Sequence, residues 1–308
     1  MKLLIAAALT VAMIAPACAQ SLKFQPKNNE NPIEVSADNG LELQQDAKRA
    51  IARGNAKLVQ GDVSVVADEL IADYRDDNDI YRVYAVGHVT MKSATETATG
   101  DAAVYDVDKA VLVLTGDNVG LVSADGTVTA HQALQYWSNE RVAVAEGNAS
   151  AGDTQQRQIR GDKLIAFFRE DGSTMLSNSK NKKNADISQA RKKGDINYVQ
   201  AFGNVRMTTP TEDIRSERGA YNIDTGMATL EGNVRITRDK NQLNGGFATV
   251  NVRGGVSKIF ASAAQANQPG MRDSTRVRAL IAPSTKPAEV APAVDTAPAK
   301  TSSPKAKQ

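Results

Sequence analysis

Cysteine is almost missing from this chain: Cys18 is the only one in 308 residues. It lies in Ala17-Cys18-Ala19, a small-x-small cleavage site behind the positive Lys2 and the apolar run Leu3 to Ile14. Residues 1–19 therefore read as a secretory signal, cut after Ala19. A lipoprotein acylated at Cys18 is the rival reading, and Ala15, Pro16 and Ala17 suit it poorly. Cleavage leaves no cysteine and excludes disulfides, zinc-thiolate sites and cysteine nucleophiles. The apolar core of the signal is too short to span a bilayer, and no later stretch is long enough. Histidine is scarce too. His88 and His131 are the only two, and neither belongs to a carboxylate cluster at metal-ligand spacing. Strong charge is also lacking. The net charge is +2, or +1 once Lys2 is removed, which gives no whole-chain electrostatic case for nucleic acid. There is no GxSxG elbow, no phosphate-cradling glycine loop and no convincing helical stripe.

What is present is repetition. GNVRMT at 203–208 returns as GNVRIT at 232–237. Each copy alternates apolar and polar residues, the mark of a strand with one buried face. The preceding Gly-Asn pair reads as a turn, since both residues tolerate positive φ. The glycine recurs at Gly54, Gly87, Gly116, Gly147, Gly203 and Gly232, at intervals of 33, 29, 31, 56 and 29. A period near thirty is clear, with one unit enlarged. A second landmark keeps phase with it: Asp68, Asp101, His131, Asp162 and Glu217, each opening an apolar alternation. Turns close this second half at 75–79, 106–109, 138–141 and 223–226. With an opening copy at 32–45, about seven units fill residues 31–265.

Val, Ile, Leu, Thr and Tyr dominate these units, so the fold class is all-β. A unit of thirty residues cannot bury its own apolar face, so neighbours must stack. Residues 20–30 form a lead-in. Residues 171–194 are a Lys-rich insertion, read as a solvated loop or as a contact for an anionic group. Residues 266–308, rich in Ala, Pro and Lys, read as a disordered tail.

No catalytic constellation stands out. Asp68, Asp101, Asp162 and Glu217 recur with the repeat, so they read as structural turn residues rather than a catalytic set. By alternation the inward-facing apolar positions are Leu70, Ala72, Val89, Met91, Tyr105, Phe168, Val205, Met207, Tyr221, Val234 and Ile236. The opposite parity stays open, because Ile71, Val104, Leu134 and Ile165 are apolar as well. Trp137 is grouped with Tyr74, Tyr105 and Tyr221, as core packing or as the wall of an apolar groove.

NPIEVSADNGLEL (31–43), the GN strands, LTG at 114–116 and RGDKLIAFF (160–168) resemble the OstA-like family of periplasmic lipopolysaccharide-transport proteins. The Lys-rich insertion and the larger number of units depart from its short members. The resemblance implies a twisted β-jellyroll of two facing sheets, a periplasmic location and no enzymatic activity or cofactor. It implies an interior that shelters the acyl chains of lipid A, starting with Ile33 and Val35 and continuing along the inward positions above. It implies end-to-end self-association, an inner-membrane partner resembling LptC at the N-terminal edge (Ile33 to Ala37) and an outer-membrane partner resembling LptD at the C-terminal edge (Val256 to Phe260). Two rungs per unit at about 4.8 Å give a groove roughly 65 Å long. A ligand-free adhesive β-solenoid and a polysaccharide-active β-helix enzyme are the competing readings.

Overall fold

The computed structural model describes residues 32–76, 79–169, 196–251, 256–267 and 276–281. The expected signal, the lead-in and the Lys-rich insertion lie outside these residues, as does most of the expected tail.

Within them the chain is one antiparallel meander. The first rung is split: β1 (Glu34–Ser36) and β2 (Leu41–Gln44) each pair with one half of β3 (Arg49–Gln60). β4 (Val63–Tyr74), β5 (Ile80–Lys92) and β6 (Glu96–Asp106) follow as long, unbroken strands. The next two rungs are split as well. β7 (Val111–Thr115) and β8 (Val119–Ser123) share β6, and β9 (Gly126–Ala130) and β10 (Ala133–Trp137) share β11 (Val142–Asp153). β12 (Gln158–Phe168), β13 (Ile196–Thr208), β14 (Asp213–Asn222), β15 (Met227–Arg238) and β16 (Asn241–Asn251) continue the ladder. The last rung is again two pieces on β16: β17 (Val256–Phe260) and β18 (Arg278–Leu280), with the short helix α1 (Ala263–Asn267) between them. Eighteen strands with four split rungs make fourteen rungs, two for each of the seven expected units.

The Gly-Asn pairs are not hairpin turns. They sit inside the long strands as β-bulges. Between Arg53 and Ala56 the strand advances three residues while β4 advances two, from Glu69 to Ala67. The same slip recurs in β5, β11, β13 and β15. Gly54, Gly87, Gly147, Gly203 and Gly232 have φ between 69° and 87°, and the residue after each has φ between 45° and 49°. Two successive left-handed residues suit a bulge as well as a loop, so the dipeptide alone did not distinguish them. The bulges of β3, β5, β11, β13 and β15 and the breaks in the split rungs follow one line across the stack. This line divides the structure into two half-sheets packed face to face, each about five residues wide.

The second landmark explains the corner. A Cβ on Gly203 would lie 2.0 Å from Asp162 Oδ2, and one on Gly232 would lie 2.4 Å from Glu217 Oε2. The carboxylate of the preceding strand therefore rests directly on the bulge glycine. Asn204 Nδ2 donates to both Asp162 oxygens at 3.1 Å, and Asn233 Nδ2 donates to Glu217 Oε1 at 2.5 Å. His88 takes the Asn place, with φ 47° and Nδ1 2.8 Å from Asp68 Oδ2. His131 does not hold the landmark position. Gln132 packs on Gly147, one residue later than the repeat suggests. Here the strand breaks instead of bending, and His131 Nδ1 faces the Asp117 carbonyl at 2.8 Å.

The expected tail boundary at 265 also shifts. α1 runs through 267, and Arg278–Leu280 pairs with Gln242–Asn244. Composition alone did not reveal that second piece, because three residues of strand leave no compositional trace.

Candidate functional site

The candidate site is the interior between the half-sheets. Antiparallel register places directly opposed residues on the same face. The first half-sheet carries two inward rows along its whole length. One runs Leu41, Ala52, Leu70, Ala85, Ala103, Leu114, Leu134, Ala145, Leu164, Ala201, Gly219, Leu230, Ala248, Ile259. The other includes Ala72, Val83, Tyr105, Leu112, Tyr136, Ala166, Val199, Tyr221 and Val250. On the second half-sheet a single row runs Val35, Leu58, Val65, Met91, Ala98, Leu121, Val128, Ala151, Ile159, Met207, Ile214, Ile236, Leu243, Ala279. No charged residue interrupts any of these rows.

The expected wall residues fall on this interior. Val35, Met91, Met207 and Ile236 share the second half-sheet row. Leu70 lies on the first row of the other half-sheet, and Ala72, Tyr105 and Tyr221 lie on its second. Val89, Val205 and Val234 are buried beside the corner, each at 3% exposure or less. Ile33 packs on the first core cluster, and Phe168 meets Tyr136 edge-on at 5.8 Å between ring centroids. Val35 differs from expectation in burial. It is 41% exposed, because its rung is the open end of the sheet.

The register also settles the parity. Ile71, Val104 and Ile165 belong to one row on the opposite face, where they are only half-buried. Leu134 does not join them; it is inward. Trp137 is 37% exposed on the outer face, and Tyr136 takes the inner position. Both misplacements follow from the one-residue phase error at His131. Leu58, Leu112, Leu114, Leu164 and Ile214, all buried, were missed. The repeat itself marks two of them: Leu58 stands four residues after Gly54, as Met91 does after Gly87, and Leu164 stands two after Asp162, as Leu70 does after Asp68.

Hollows open along the interior. One of about 300 Å³ lies at the first rungs, lined by Val35, Leu41, Leu43, Ala52, Leu58 and Leu70 among others. One of about 20 Å³ lies among Met91, Tyr105 and Leu112. One of about 110 Å³ lies mid-stack, lined by residues such as Leu121, Leu134, Tyr136, Leu164 and Phe168. Burial pushes the Tyr105 and Tyr136 phenols upward, so both stay neutral.

Polar chemistry is confined to corners, turns and outer faces. Asp153 accepts from the backbone N–H groups of Gln155 (2.8 Å) and Arg157 (3.0 Å) and from Arg157 Nε (2.5 Å). Burial pushes its carboxyl up, but Arg157 and these donors together hold it below the usual carboxylate range. Among the described residues no group of His, Cys, Asp and Glu is arranged to hold a metal ion. No described helix is long and apolar enough to cross a membrane.

Residues 34–140 match a family model described as LptA/(LptD N-terminal domain) LPS transport protein. A protein of Rhizobium meliloti (strain 1021), described only as uncharacterized, is 27% identical over 118 residues. That stretch is 36% of this chain and 63% of the relative's length, so the chain spans less than two thirds of the curated protein it matches. LptH of Pseudomonas aeruginosa, described as the LptA-homologous periplasmic component of a lipopolysaccharide transport device, is a structural neighbour at 21% identity and a TM-score of 0.35. It covers 40% of this chain and 87% of its own. The rungs from β1 to β10 are thus similar to the LptA/LptD N-terminal family of lipopolysaccharide-transport domains.

Proposed function

We propose that this chain is a periplasmic, non-catalytic carrier that shelters the acyl chains of lipopolysaccharide between its half-sheets and passes the lipid along the stack. The reading rests on one observation: apolar inward rows run without a charged residue from the first rung to the last. Exposing a lipid tail to water costs about 0.8 kcal/mol per CH₂. A continuous apolar trough removes that cost at every step and offers no single deep site.

The mid-stack hollow of about 110 Å³ is smaller than the ~150 Å³ that hosts a benzene-sized molecule, whereas the hollow at the first rungs, about 300 Å³, exceeds it. Lipid tails therefore have room at the first rungs and pass the middle of the stack only if the half-sheets part. The composition of the interior favours parting. Ala52, Ala85, Ala103, Ala145, Ala201 and Ala248 supply much of one row, and short side chains lose few contacts when the faces separate.

Both ends of the sheet are open among the described residues. β1 and β2 pair only with β3, and β17 and β18 pair only with β16. Unpaired edges accept another strand. We assign the N-terminal edge to an LptC-like partner, the C-terminal edge to an LptD-like partner, and either edge to a second copy of the chain.

The two smaller hollows also suit a ligand-free β-solenoid with a filled core, and one experiment separates the two readings. A photo-crosslinking residue at Val35 or Met207 is expected to capture lipopolysaccharide, and one at Arg206 or Arg235 is not. Equal labelling of both pairs, or of neither, sinks the carrier reading.

A further inference from the structure

The outer face of the second half-sheet carries a feature the apolar interior does not explain. Arg160 of β12 lies directly opposite Arg206 of β13. Arg206 lies opposite Arg215 of β14, and Arg215 lies opposite Arg235 of β15. The row continues through Asn244 to Arg278 of β18. All five arginines are exposed, whereas the alternate positions Ile159, Val205, Ile214 and Val234 are buried. Five arginines thus stand in one register row across six rungs, about 24 Å along the stack.

Like charges directly opposite one another destabilise a sheet. The other half-sheet avoids this. There Arg49, Asp73, Arg82 and Asp106 alternate in sign across four rungs, with Arg49 Nε to Asp73 Oδ1 at 2.7 Å and an Arg82–Asp106 contact at 3.0 Å. The arginine row has one internal counter-ion, Asp213, which accepts from Arg206 Nε at 2.6 Å and from Arg215 Nε at 3.2 Å. Arg160, Arg235 and Arg278 have no ion pair among the described residues. The row is therefore arranged for anions supplied from outside.

Its end gives the class of anion. Leu280 shares the outer face with Arg278 and is 64% exposed, and Ile281 is 72% exposed. Basic side chains leading into bare apolar ones match a bilayer surface, where phosphates meet guanidinium groups and apolar tips enter the acyl boundary. An acidic polypeptide would satisfy the arginines but leave the apolar tip uncovered. We propose that the row Arg160, Arg206, Arg215, Arg235 and Arg278, with Leu280 at its end, docks this protein on anionic phospholipid headgroups of a membrane. This surface faces away from the interior and is independent of what the interior holds.

The test uses the full chain and sedimentation with phosphatidylcholine vesicles, with or without a quarter of phosphatidylglycerol. Binding is expected only with phosphatidylglycerol present, and it weakens as salt is raised. Arg160→Gln with Arg235→Gln is expected to lower affinity roughly 30-fold. The same double variant is expected to melt at or above the wild-type temperature, because opposed like charges have been removed. Wild-type binding that the variant retains would place the contact elsewhere in the chain and overturn the proposal. So would a lower melting temperature, which would make the arginines structural. Capture by polyglutamate without capture by vesicles would identify an acidic polypeptide instead, and would also overturn it.

Discussion

The corner is where structure makes the sharpest quantitative demand. Consider Gly203→Ala. Gly203 has φ +69°, so an L side chain there costs roughly 1–2 kcal/mol in backbone strain. The new Cβ would also lie 2.0 Å from Asp162 Oδ2, 2.6 Å from its Cγ and 2.9 Å from its Cβ. Asp162 must swing away, which breaks its bonds to Asn204 Nδ2 and costs about 1 kcal/mol more. The single substitution should therefore destabilise by about 2–3 kcal/mol. Asp162→Ala alone loses only the hydrogen bonds, at about 1 kcal/mol. In the double variant the two closest contacts no longer exist, so Gly203→Ala adds little beyond the backbone strain. Urea unfolding of the two single variants and the double variant should then show a coupling of about 1 kcal/mol, with the double variant more stable than additivity predicts. If the effects add to within about 0.4 kcal/mol, the carboxylate resting on glycine is not what shapes the corner.

Two further outcomes follow from the polar groups. Asp153→Asn removes the charge facing Arg157, whose side chain is only 12% exposed, and should cost about 3 kcal/mol by thermal unfolding at neutral pH. Because the Asp153 carboxyl is held below its ordinary value, its contribution is present above the unfolded pKa and is lost as pH falls through the folded one. The gap between wild type and variant should therefore narrow in acid, and a gap that widens there would contradict the assignment. At His88 the sign is opposite. The hydrogen bond to Asp68, helped by that carboxylate's charge, raises the imidazole. Its contribution is present below the unfolded pKa and disappears as pH rises through the raised folded value. His88→Asn, which installs the residue found at the other corners, should flatten the melting profile across neutral pH and fold normally. A profile that keeps its slope would show that His88 does not cause it.

How much of this was legible depended on which quantity was read. The period survives any local error, so the glycine spacing led directly to fourteen rungs. Val205, Val234 and Ile236 were placed inward because each follows its bulge closely and the alternation restarts there. Leu134 and Trp137 were misplaced because parity was counted from His131, and a one-residue slip inverts every later side chain in that strand. The bulge was read as a turn because positive φ at Gly-Asn is compatible with both. The arginine row was illegible in principle. Arg160 and Arg206 are separated by a unit of irregular length, and only pairing register brings them opposite each other.

The bulge corner has a further consequence for how such a chain changes size. Each unit brings its own glycine for the strand before it and its own landmark for the strand after it. Adding a unit therefore repeats the joint and leaves the cross-section alone. Copy number sets reach, in increments of about 10 Å for two rungs, while the shape of the corner sets bore. Duplication or loss of whole thirty-residue blocks then changes the length of the stack without remaking its cross-section.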